Sequence, residues 1–518
     1  MVPERISGPI VLKNATVFDG VEIGRRRSIV IEAGVISYSG PDKNFDSRST
    51  TVIDCSGMFV SPSFNDSHVH LLGYAARSLG TDLSNLKFRN VAQFIDELRY
   101  IKINENDHEL IRFYGYDDSK LIGSKPLCRL DLDNVFPTRP VIINFSSGHE
   151  IIINSRGLEI LGITESTDEP PGVTFDRDLE RGLLTGVILE GNDYIERYIP
   201  KLDEKLLENS LRDSFCDFLR LGITGVTDAT ENNDSSRLNF IANQLDRSGH
   251  PIKVEFMPGF NMIGELGNAE ITYGSFSNGL SVGPVKIMLS SSSGNLRPDI
   301  NLLHEMVNEC HVKGFPVAIH AVSEEEIDLA LLAFSRSHMV GDRIEHASET
   351  RDDQIEKIAS IGLWLSTQPG FIYQRGDGYI SRLKKSYLSR LYRIRSFLEK
   401  GIKVGGSSDT PVIMPDPVKS IYSCVTRKTK SGRLINQNES LSITEALKLF
   451  TTGNSSISAS SSESGRLHIG HPLDIVMLNK DISVCSKDSL LETEVVATLR
   501  NNELVFVGDR DLFRSFYQ

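Results

Sequence analysis

Apolar strand-like runs alternate with amphipathic helical patterns past residue 200, which predicts an α/β fold with a (β/α)8 barrel of the TIM type. Eight strand-like runs are counted in the 518 residues. One lies near position 60, and the others lie near positions 226, 256, 287, 319, 345, 364 and 404. Ionisable residues directly follow several of these runs. Both ends of the chain carry further short strands, which predict a small β-sandwich domain built from the two termini.

The two chain ends are expected to pair into one domain. Short glycine-separated runs such as residues 28–31 are typical of a small antiparallel unit, which cannot bury a good core alone. Similar strand material recurs at residues 474–478. The predicted domains are a β-sandwich formed by residues 1–63 and 456–518, and a barrel over residues 64–455.

The segment from Tyr74 to about Pro200 does not alternate regularly and is rich in proline, glycine and aspartate. A segment of this length without repeated elements is more often an inserted subdomain than a loop. We therefore predict a subdomain inserted into the barrel at about residues 75–200, which would help to shape a pocket.

Helix signals separate the later strands. Apolar residues recur at helical spacing over residues 206–221, and Gly222 follows at the expected end. Ser323 and Glu326 form a capping-box signature, and Asp416 before a proline is a typical helix start. Further helices are predicted at residues 301–313, 324–334, 352–361, 391–400 and after Ser442.

Composition excludes several classes of protein. The net charge of -13 and the pI near 5.5 argue against a nucleic-acid binder and against binding to anionic membranes. No apolar run approaches the roughly 20 residues that span a bilayer, and residues 1–20 lack the apolar core of a signal peptide. The six dispersed cysteines fit reduced thiols, so a cytoplasmic location is expected.

Catalytic groups of a (β/α)8 barrel stand at the carboxyl ends of its strands. The candidates there are His68 and His70 after the first strand, Lys286 inside the fourth, His320 at the fifth, His346 at the sixth and Asp409 after the eighth. His68 and His70 are two residues apart, so on a strand both imidazoles would point to one side. A single such histidine is more often a hydrogen-bonded core or rim residue. Four histidines and an aspartate at one face instead indicate a transition-metal site.

These residues and the motifs around them resemble the metal-dependent amidohydrolase superfamily, and within it the amidohydrolase-3 (YtcJ-like) family. The resemblance covers essentially the whole chain. The motifs that carry it are residues 64–70 (FNDSHVH), Gly148-His149, residues 186–190 (GVILE), residues 222–226 (GITGV), Val285-Lys286, residues 319–321 (IHA), residues 343–346 (RIEH), residues 408–411 (SDTP) and Leu473-Asp474. Ser290 and Ser291 depart from the Asp-Gly pair that is common after the lysine in such members.

The resemblance implies a metal-binding site held by His68, His70, His320, His346 and Asp409, with one or two divalent ions. Nitrogen and carboxylate ligands suit zinc, and iron or manganese are alternatives. Lys286 would be a ligand only if it were carboxylated by CO2, and otherwise its ammonium would pair with an acidic neighbour. Glu190 is the alternative bridging carboxylate, and its competing interpretation is a surface helix residue.

The implied activity is hydrolysis of a non-peptide C–N bond, such as an amide, an N-formyl or N-acyl group or a cyclic amide, by attack of metal-bound hydroxide. Asp409 would act as general base and then general acid. His149 is a candidate for polarising the substrate carbonyl, and a packed histidine is the alternative. A mononuclear aminohydrolase (deaminase) and a non-catalytic barrel that binds a small ligand stay open. A small-molecule substrate is expected, and a homodimer is the default expectation.

Overall fold

The computed structural model describes residues 4–5, 8–41, 50–103, 110–121, 123–170, 172–249, 251–266, 271–291, 296–460, 464–472, 474–500 and 503–509. Of the motifs that carry the resemblance, Leu473 lies outside the described residues. Within them the chain forms an α/β fold with four β-sheets, of nine, six, five and five strands.

The two five-stranded sheets, called the central sheets, are built from strands between residues 64 and 406. All but one of their strand pairings are parallel. The first central sheet contains, in spatial order, Phe276–Ser277, Leu280–Val282, Lys253–Phe256, Ile223–Asp228 and Phe64–Val69. The second central sheet contains Val285–Met288, Val317–Ala321, Arg343–His346, Trp364–Thr367 and Val404–Gly406. Nearly all of these residues are buried, as expected of parallel strands covered on both faces.

Helices follow the central strands in the order that the sequence predicts. The helices of four or more residues are Leu71–Arg77, Val91–Tyr100, Arg129–Asp133, Ser155–Ile160, Asn192–Glu196, Glu204–Arg220, Ser235–Arg247, Ile300–Val312, Glu324–Arg336, Asp352–Ile361, Gly370–Arg382, Lys385–Leu388, Ile394–Glu399, Pro417–Thr426, Ile443–Lys448, the π-helical turn Leu449–Gly453 and the 3-10 helix Lys487–Glu492. The Ser323 capping box and the Asp416 cap with its following proline are both present. No helix in the described part of the chain is long and apolar enough to cross a membrane.

Both ends of the chain contribute to one nine-stranded sheet, the terminal sheet. Its strands are Glu4–Arg5, Glu503–Val507, Val495–Arg500, Asp474–Leu478, Phe59–Pro62, Ile10–Phe18, Ile23–Glu32 and Val35–Pro41 in spatial order, with Thr51–Asp54 paired to Ile10–Phe18. The pairing of residues 474–478 with residues 59–62 joins the two ends as expected. The terminal sheet has its own cluster of buried side chains, which includes Ile29 and Leu499.

A six-stranded sheet, the insertion sheet, forms between the first and second strands of the first central sheet in chain order. Its strands are Thr174–Arg177, Leu184–Leu189, Glu150–Ile153, Val141–Phe145, Ile111–Tyr116 and Thr81–Asp82 in spatial order. On one face of this sheet, Phe113 and Ile143 are buried in the same hydrophobic cluster as Phe94 and Leu98 of helix Val91–Tyr100.

Two local predictions are corrected by the structure. The run near residue 60 belongs to the terminal sheet, and the first central strand is Phe64–Val69, so His68 lies inside a strand rather than beyond one. A separate strand at Leu280–Val282 precedes Val285–Met288 and was not expected. Periodicity could not separate these runs because adjacent apolar segments on one chain look alike before their pairing partners are known.

Candidate active site

His68 and Asp409 meet where the first and last central strands lie side by side. The backbone N–H of Asp409 donates to the carbonyl of His68 at 2.9 Å, and that of His70 donates to the carbonyl of Thr410 at 2.8 Å. These bonds bring Asp409 Oδ1 to 3.4 Å from His68 Nε2 and 3.2 Å from His70 Nε2. The three ligand atoms offered by these side chains lie within 4.8 Å of one another.

His320 and His346 complete the group from neighbouring strands. The ring centroid of His346 lies 4.3 Å from that of His320 and 4.7 Å from that of His68. The backbone of His346 is left-handed, with φ 73°, as is that of Asp409, with φ 60°. Non-glycine residues rarely adopt this conformation, and it is concentrated at functional sites.

In three of the histidines, Nδ1 lies within hydrogen-bond distance of an oxygen that acts as the acceptor. His68 Nδ1 is 2.5 Å from Glu345 Oε2, and His346 Nδ1 is 2.9 Å from Gln368 Oε1. His70 Nδ1 is 3.1 Å from Thr230 Oγ1, whose own hydroxyl donates at 2.6 Å to Asp228. Because these oxygens accept, Nδ1 carries the proton and the Nε2 lone pair is left for another partner.

Several buried polar atoms at this place have no hydrogen-bond partner. They are His68 Nε2, His346 Nε2 and Lys286 Nζ. Unsatisfied buried polar atoms are costly, and histidine held through its other nitrogen is the usual arrangement of a metal ligand. The residues present therefore fit a divalent cation.

The electrostatics of the group suit a cation as well. Burial lowers the pKa of His68 to about 3 and holds those of His320 and His346 below the usual range, so these imidazoles are neutral at pH 7. Burial alone would raise the pKa of Asp409, but its hydrogen bond with His70 and the nearby His68 bring it below the usual range. His68, His320 and His346 therefore offer neutral nitrogen donors next to an ionised carboxylate. Burial alone would lower the pKa of His70, but its hydrogen bond with Asp409 raises it.

Lys286 lies inside the strand Val285–Met288 with its side chain 1% exposed. Burial lowers the pKa of its ammonium. No carboxylate in the described part of the chain is within ion-pair distance of Nζ, so the acidic partner considered as the alternative for this lysine is not found there.

His149 and Glu190 reach the site from the insertion sheet. His149 Nδ1 is 3.1 Å from Glu190 Oε1, and Ser290 Oγ donates to the same oxygen at 2.7 Å. Glu190 follows the strand Leu184–Leu189 with φ 53°, and it is not on a surface helix. The His149 ring lies 5.8 Å from that of His320, measured between centroids. The pair thus connects the insertion with the residues that follow the Lys286 strand.

Most of these groups line one cavity of about 810 Å³, whereas His68 is fully buried and is not among its lining residues. His70, Lys286, His320, His346 and Asp409 line its reactive end, and His149 and Glu190 line it from the insertion side. Its volume lies within the range of small-molecule sites.

Two residues under the site were not singled out from the sequence as functional. Glu345 is fully buried between His68 and the guanidinium of Arg343, whose Nε donates to Glu345 Oε1. Burial alone would raise the pKa of Glu345, but Arg343 and His68 hold it below the usual range. The sequence does contain a signal for these two residues: an arginine and a glutamate lie in one short strand that is otherwise expected to be buried. Charged residues are rarely buried unless they are paired, so both could have been selected as functional candidates.

Sequence comparison identifies this chain as an amidohydrolase. The chain belongs to the Amidohydrolase family, whose sequence model matches residues 51–506. It is 26% identical to the YtcJ amidohydrolase of Bacillus subtilis (strain 168), over 93% of this chain and 96% of that protein. It is also 26% identical to the N-substituted formamide deformylase of Arthrobacter pascens, over 91% of this chain and 93% of that protein.

A solved structure agrees with this assignment. That of an uncharacterized metal-dependent hydrolase from Pyrococcus horikoshii OT3 superposes with a TM-score of 0.71 at 25% identity, over 93% of this chain and 99% of that one. The recognition of the family from sequence motifs is therefore confirmed, and the protein is an enzyme of the hydrolase class.

Proposed function

We propose that this protein is a metal-dependent hydrolase that cleaves a non-peptide C–N bond in a small-molecule amide, such as an N-formyl, N-acyl or cyclic amide. The observation that carries the proposal is the convergence of His68, His70 and Asp409, whose ligand atoms lie within 4.8 Å of one another. The Nε2 lone pairs left by the bonds at Nδ1 support the same interpretation. Similarity to a formamide deformylase supports the C–N bond class.

The architecture proposed for this activity is one closed (β/α)8 barrel over residues 64–455. A parallel bridge between Gly259 and Lys286 connects the two central sheets on one side, and a bridge between Val69 and Thr410 connects them on the other. In this barrel Leu280–Val282 and Val285–Met288 are two halves of the fourth strand.

The remaining domains are proposed on the same basis. Residues 1–63 and 456–518 would form the β-sandwich, which is supported by the separate buried cluster of the terminal sheet. Residues of about 75–200 would form the inserted subdomain, which is supported by the insertion sheet and its own cores.

The proposed ligands are His68, His70, His320, His346 and Asp409, with zinc as the first candidate and iron or manganese as alternatives. A bound divalent ion would supply a water of lowered pKa and would polarise the substrate carbonyl. The Asp409 carboxylate accepts the proton of the attacking water and later delivers it to the leaving nitrogen. The pKa of Asp409 lies below the usual range, so the carboxylate is ionised at neutral pH, which is the state that can accept a proton.

His149 is proposed to hydrogen-bond the substrate carbonyl through Nε2. Its Nδ1 is held by Glu190, and the ring lines the cavity next to His320. Burial alone opposes the charged form of His149, but the bond with Glu190 raises its pKa, which favours a ring that can donate at Nε2. A donor aimed at a developing oxyanion stabilises the transition state more than the bound substrate.

A His149→Gln variant tests that role. We expect kcat/KM to fall by about 10² to 10³-fold, as when one oxyanion donor is removed, while metal content stays unchanged. His468→Gln, an exposed histidine in the loop before the strand Asp474–Leu478, is the matched control and should keep wild-type kinetics. Equal rates for His149→Gln and His468→Gln would remove His149 from the catalytic group.

Lys286 is proposed to be carboxylated and to bridge two ions. Its buried ammonium has no acidic partner in the described structure, whereas a carbamate would be an anionic oxygen ligand beside neutral imidazoles. Glu190 is less suited to bridging, because its carboxylate already accepts from His149 and Ser290.

Metal content tests the function and the role of Lys286 together. Metal-free protein reloaded with zinc and bicarbonate should bind two ions per chain and hydrolyse members of an N-formyl and N-acyl amide panel. Lys286→Arg, which cannot form the carbamate, should bind no more than one ion. One ion per chain in both proteins, together with deamination, would favour a mononuclear aminohydrolase. No metal binding under either condition would overturn the catalytic proposal.

A further inference from the structure

One face of the insertion sheet forms a wall of the active-site cavity. Arg112 and Ile142 are register partners on adjacent strands, and both line the cavity, as do Asn144 and Ile151, which are partners in the next pair. Residues of opposite parity, such as Phe113, point to the core of the insertion. Strand alternation therefore assigns this face to whatever occupies the cavity.

Arg112 is an unusual member of this wall because it is a buried cation without a counter-ion. The residue is 8% exposed, and its guanidinium donates to two backbone carbonyls, those of Pro200 at 2.6 Å and Leu110 at 3.4 Å. No carboxylate in the described part of the chain lies within ion-pair distance of it. A guanidinium has five N–H donors, so these two bonds orient it and leave donors for a further acceptor.

The other arginines of the cavity are already neutralised. Arg77 pairs with Asp82 at 2.7 Å, and Arg237 pairs with Glu196 at 3.4 Å. An uncompensated buried charge is expensive, so Arg112 is the position in this wall where a bound anion would contribute most. One buried guanidinium matches one planar carboxylate, which it can hold through two parallel hydrogen bonds.

Arg112 is remote from the reactive end of the cavity. His149 immediately precedes the strand Glu150–Ile153, and Ile153 is the register partner of Ile142, which in turn pairs with Arg112. The four residues from His149 to Ile153 span about 13 Å at roughly 3.3 Å per residue. Apolar side chains that line the same cavity include those of Ile142, Ile151 and Ile195.

The reactive end carries charge of the opposite sign. Glu231 lines the cavity there, and its carboxylate contributes to the electrostatic environment of His70 and Lys286. No ion pair or hydrogen bond of the Glu231 side chain is found among the described residues. A carboxylate on the substrate would be repelled from Glu231 and attracted to Arg112, so the two residues would set its orientation.

From this arrangement we propose that the substrate is an amide whose C–N bond is separated by an apolar spacer from a carboxylate, and that Arg112 binds this carboxylate. The inference rests on the proposed function of the site. Arg112 is a specificity-determining residue, and it takes no part in the bond cleavage at the other end of the cavity. The substrate class is an ω-carboxylated N-acyl or N-formyl amine with a hydrocarbon spacer.

The test compares N-formyl ω-amino acids with N-formyl alkylamines of the same length, lengthened one methylene at a time. With wild-type, metal-loaded protein we expect kcat/KM to favour the acid about 10- to 100-fold once the spacer is long enough, mainly through KM, since charge-assisted hydrogen bonds have this value. Short acids should show no preference. In Arg112→Met the ratio of kcat/KM for the acid to kcat/KM for the neutral amide of equal length should fall to about one.

Two further variants keep the result interpretable. Arg112→Gln keeps a neutral hydrogen-bond donor at this position and removes the charge, and thermal unfolding separates loss of the charge from loss of folding. Arg181→Met changes an exposed arginine at the turn of the insertion and should keep the preference for acids. An unchanged preference in folded Arg112→Gln and Arg112→Met, or no preference in the wild type at any length, would overturn the inference.

Binding measurements distinguish this inference from the proposed function. Calorimetry with ω-phenylalkanoates on metal-loaded wild type and Arg112→Met does not depend on turnover. A carboxylate held only by metal would bind both proteins equally, which would count against Arg112. Weaker binding to Arg112→Met, combined with no hydrolysis of any amide by the wild type, would support the anion site and contradict the hydrolase proposal.

Discussion

Asp409→Asn is expected to abolish hydrolysis of every C–N substrate that the wild type cleaves. Asparagine keeps the size of the side chain and tolerates the left-handed backbone of this position, where φ is 60°. It removes the negative charge and the proton acceptor, so kcat/KM should fall by at least about 10³-fold, within the range of lost general-base catalysis. Initial rates on the N-formyl and N-acyl panel measure the loss, with metal content determined on the same samples.

Asp353→Asn is the matched control for this experiment. Its side chain is 70% exposed and pairs with Arg351 on the surface, so the same chemical change there should leave the rates as they are. If Asp409→Asn kept more than one-tenth of wild-type activity at full metal content, Asp409 would not be the general base.

Glu345→Ala is expected to weaken both metal binding and folding. Glu345 accepts from His68 Nδ1 at 2.5 Å and from the Arg343 guanidinium, and neither side chain of the charged pair is more than 1% exposed. Loss of the carboxylate leaves the charge of Arg343 buried without its paired carboxylate, with bonds only to the carbonyls of Ser67 and Ile457, which costs about 3–5 kcal/mol of unfolding free energy. Metal affinity should fall about 10- to 100-fold, because His68 loses the group that orients it.

A double variant separates these two effects. Arg343→Met combined with Glu345→Ala removes the uncompensated charge, so chemical denaturation of the metal-free protein should show most of the stability recovered. His68 still lacks its acceptor, so metal affinity, measured by competition with a chelator, should stay low. Recovery of metal affinity together with stability would mean that Glu345 acts only in folding and not as a positioning residue for His68.

Local patterns predicted much of the fold. The helix Glu324–Arg336 begins after the Ser323 capping box, and the helix Pro417–Thr426 begins after the Asp416 cap, as predicted, because capping depends on residues within one turn. The helix Gly370–Arg382 was not predicted, since its glycines and polar residues weaken the helical periodicity. The assignment of residues 59–62 to the terminal sheet was also missed, because it depends on pairing with residues 474–478.

The candidate site was predicted as a set of residues but not as a set of contacts. The four histidines of this set were selected because each one closes an apolar run, and Asp409 because it follows the last predicted strand. The structure places His70, His320, His346 and Asp409 around one cavity. His68 is buried next to His346 and Asp409. The partner of His149 was not foreseen, because Glu190 had been considered only as a bridging ligand or a surface residue. Arg112 was overlooked because one arginine in a strand carries no signal until its burial is known.

The sequence by itself determined the family, the α/β class and the identity of the candidate ligands, since these follow from local periodicity and short motifs. Only the tertiary structure decided which nitrogen each histidine presents and which charges lack partners. The bond that orients His68 comes from Glu345, 277 residues away in the chain. Such contacts depend on how sheets close against one another, and local preferences do not encode them.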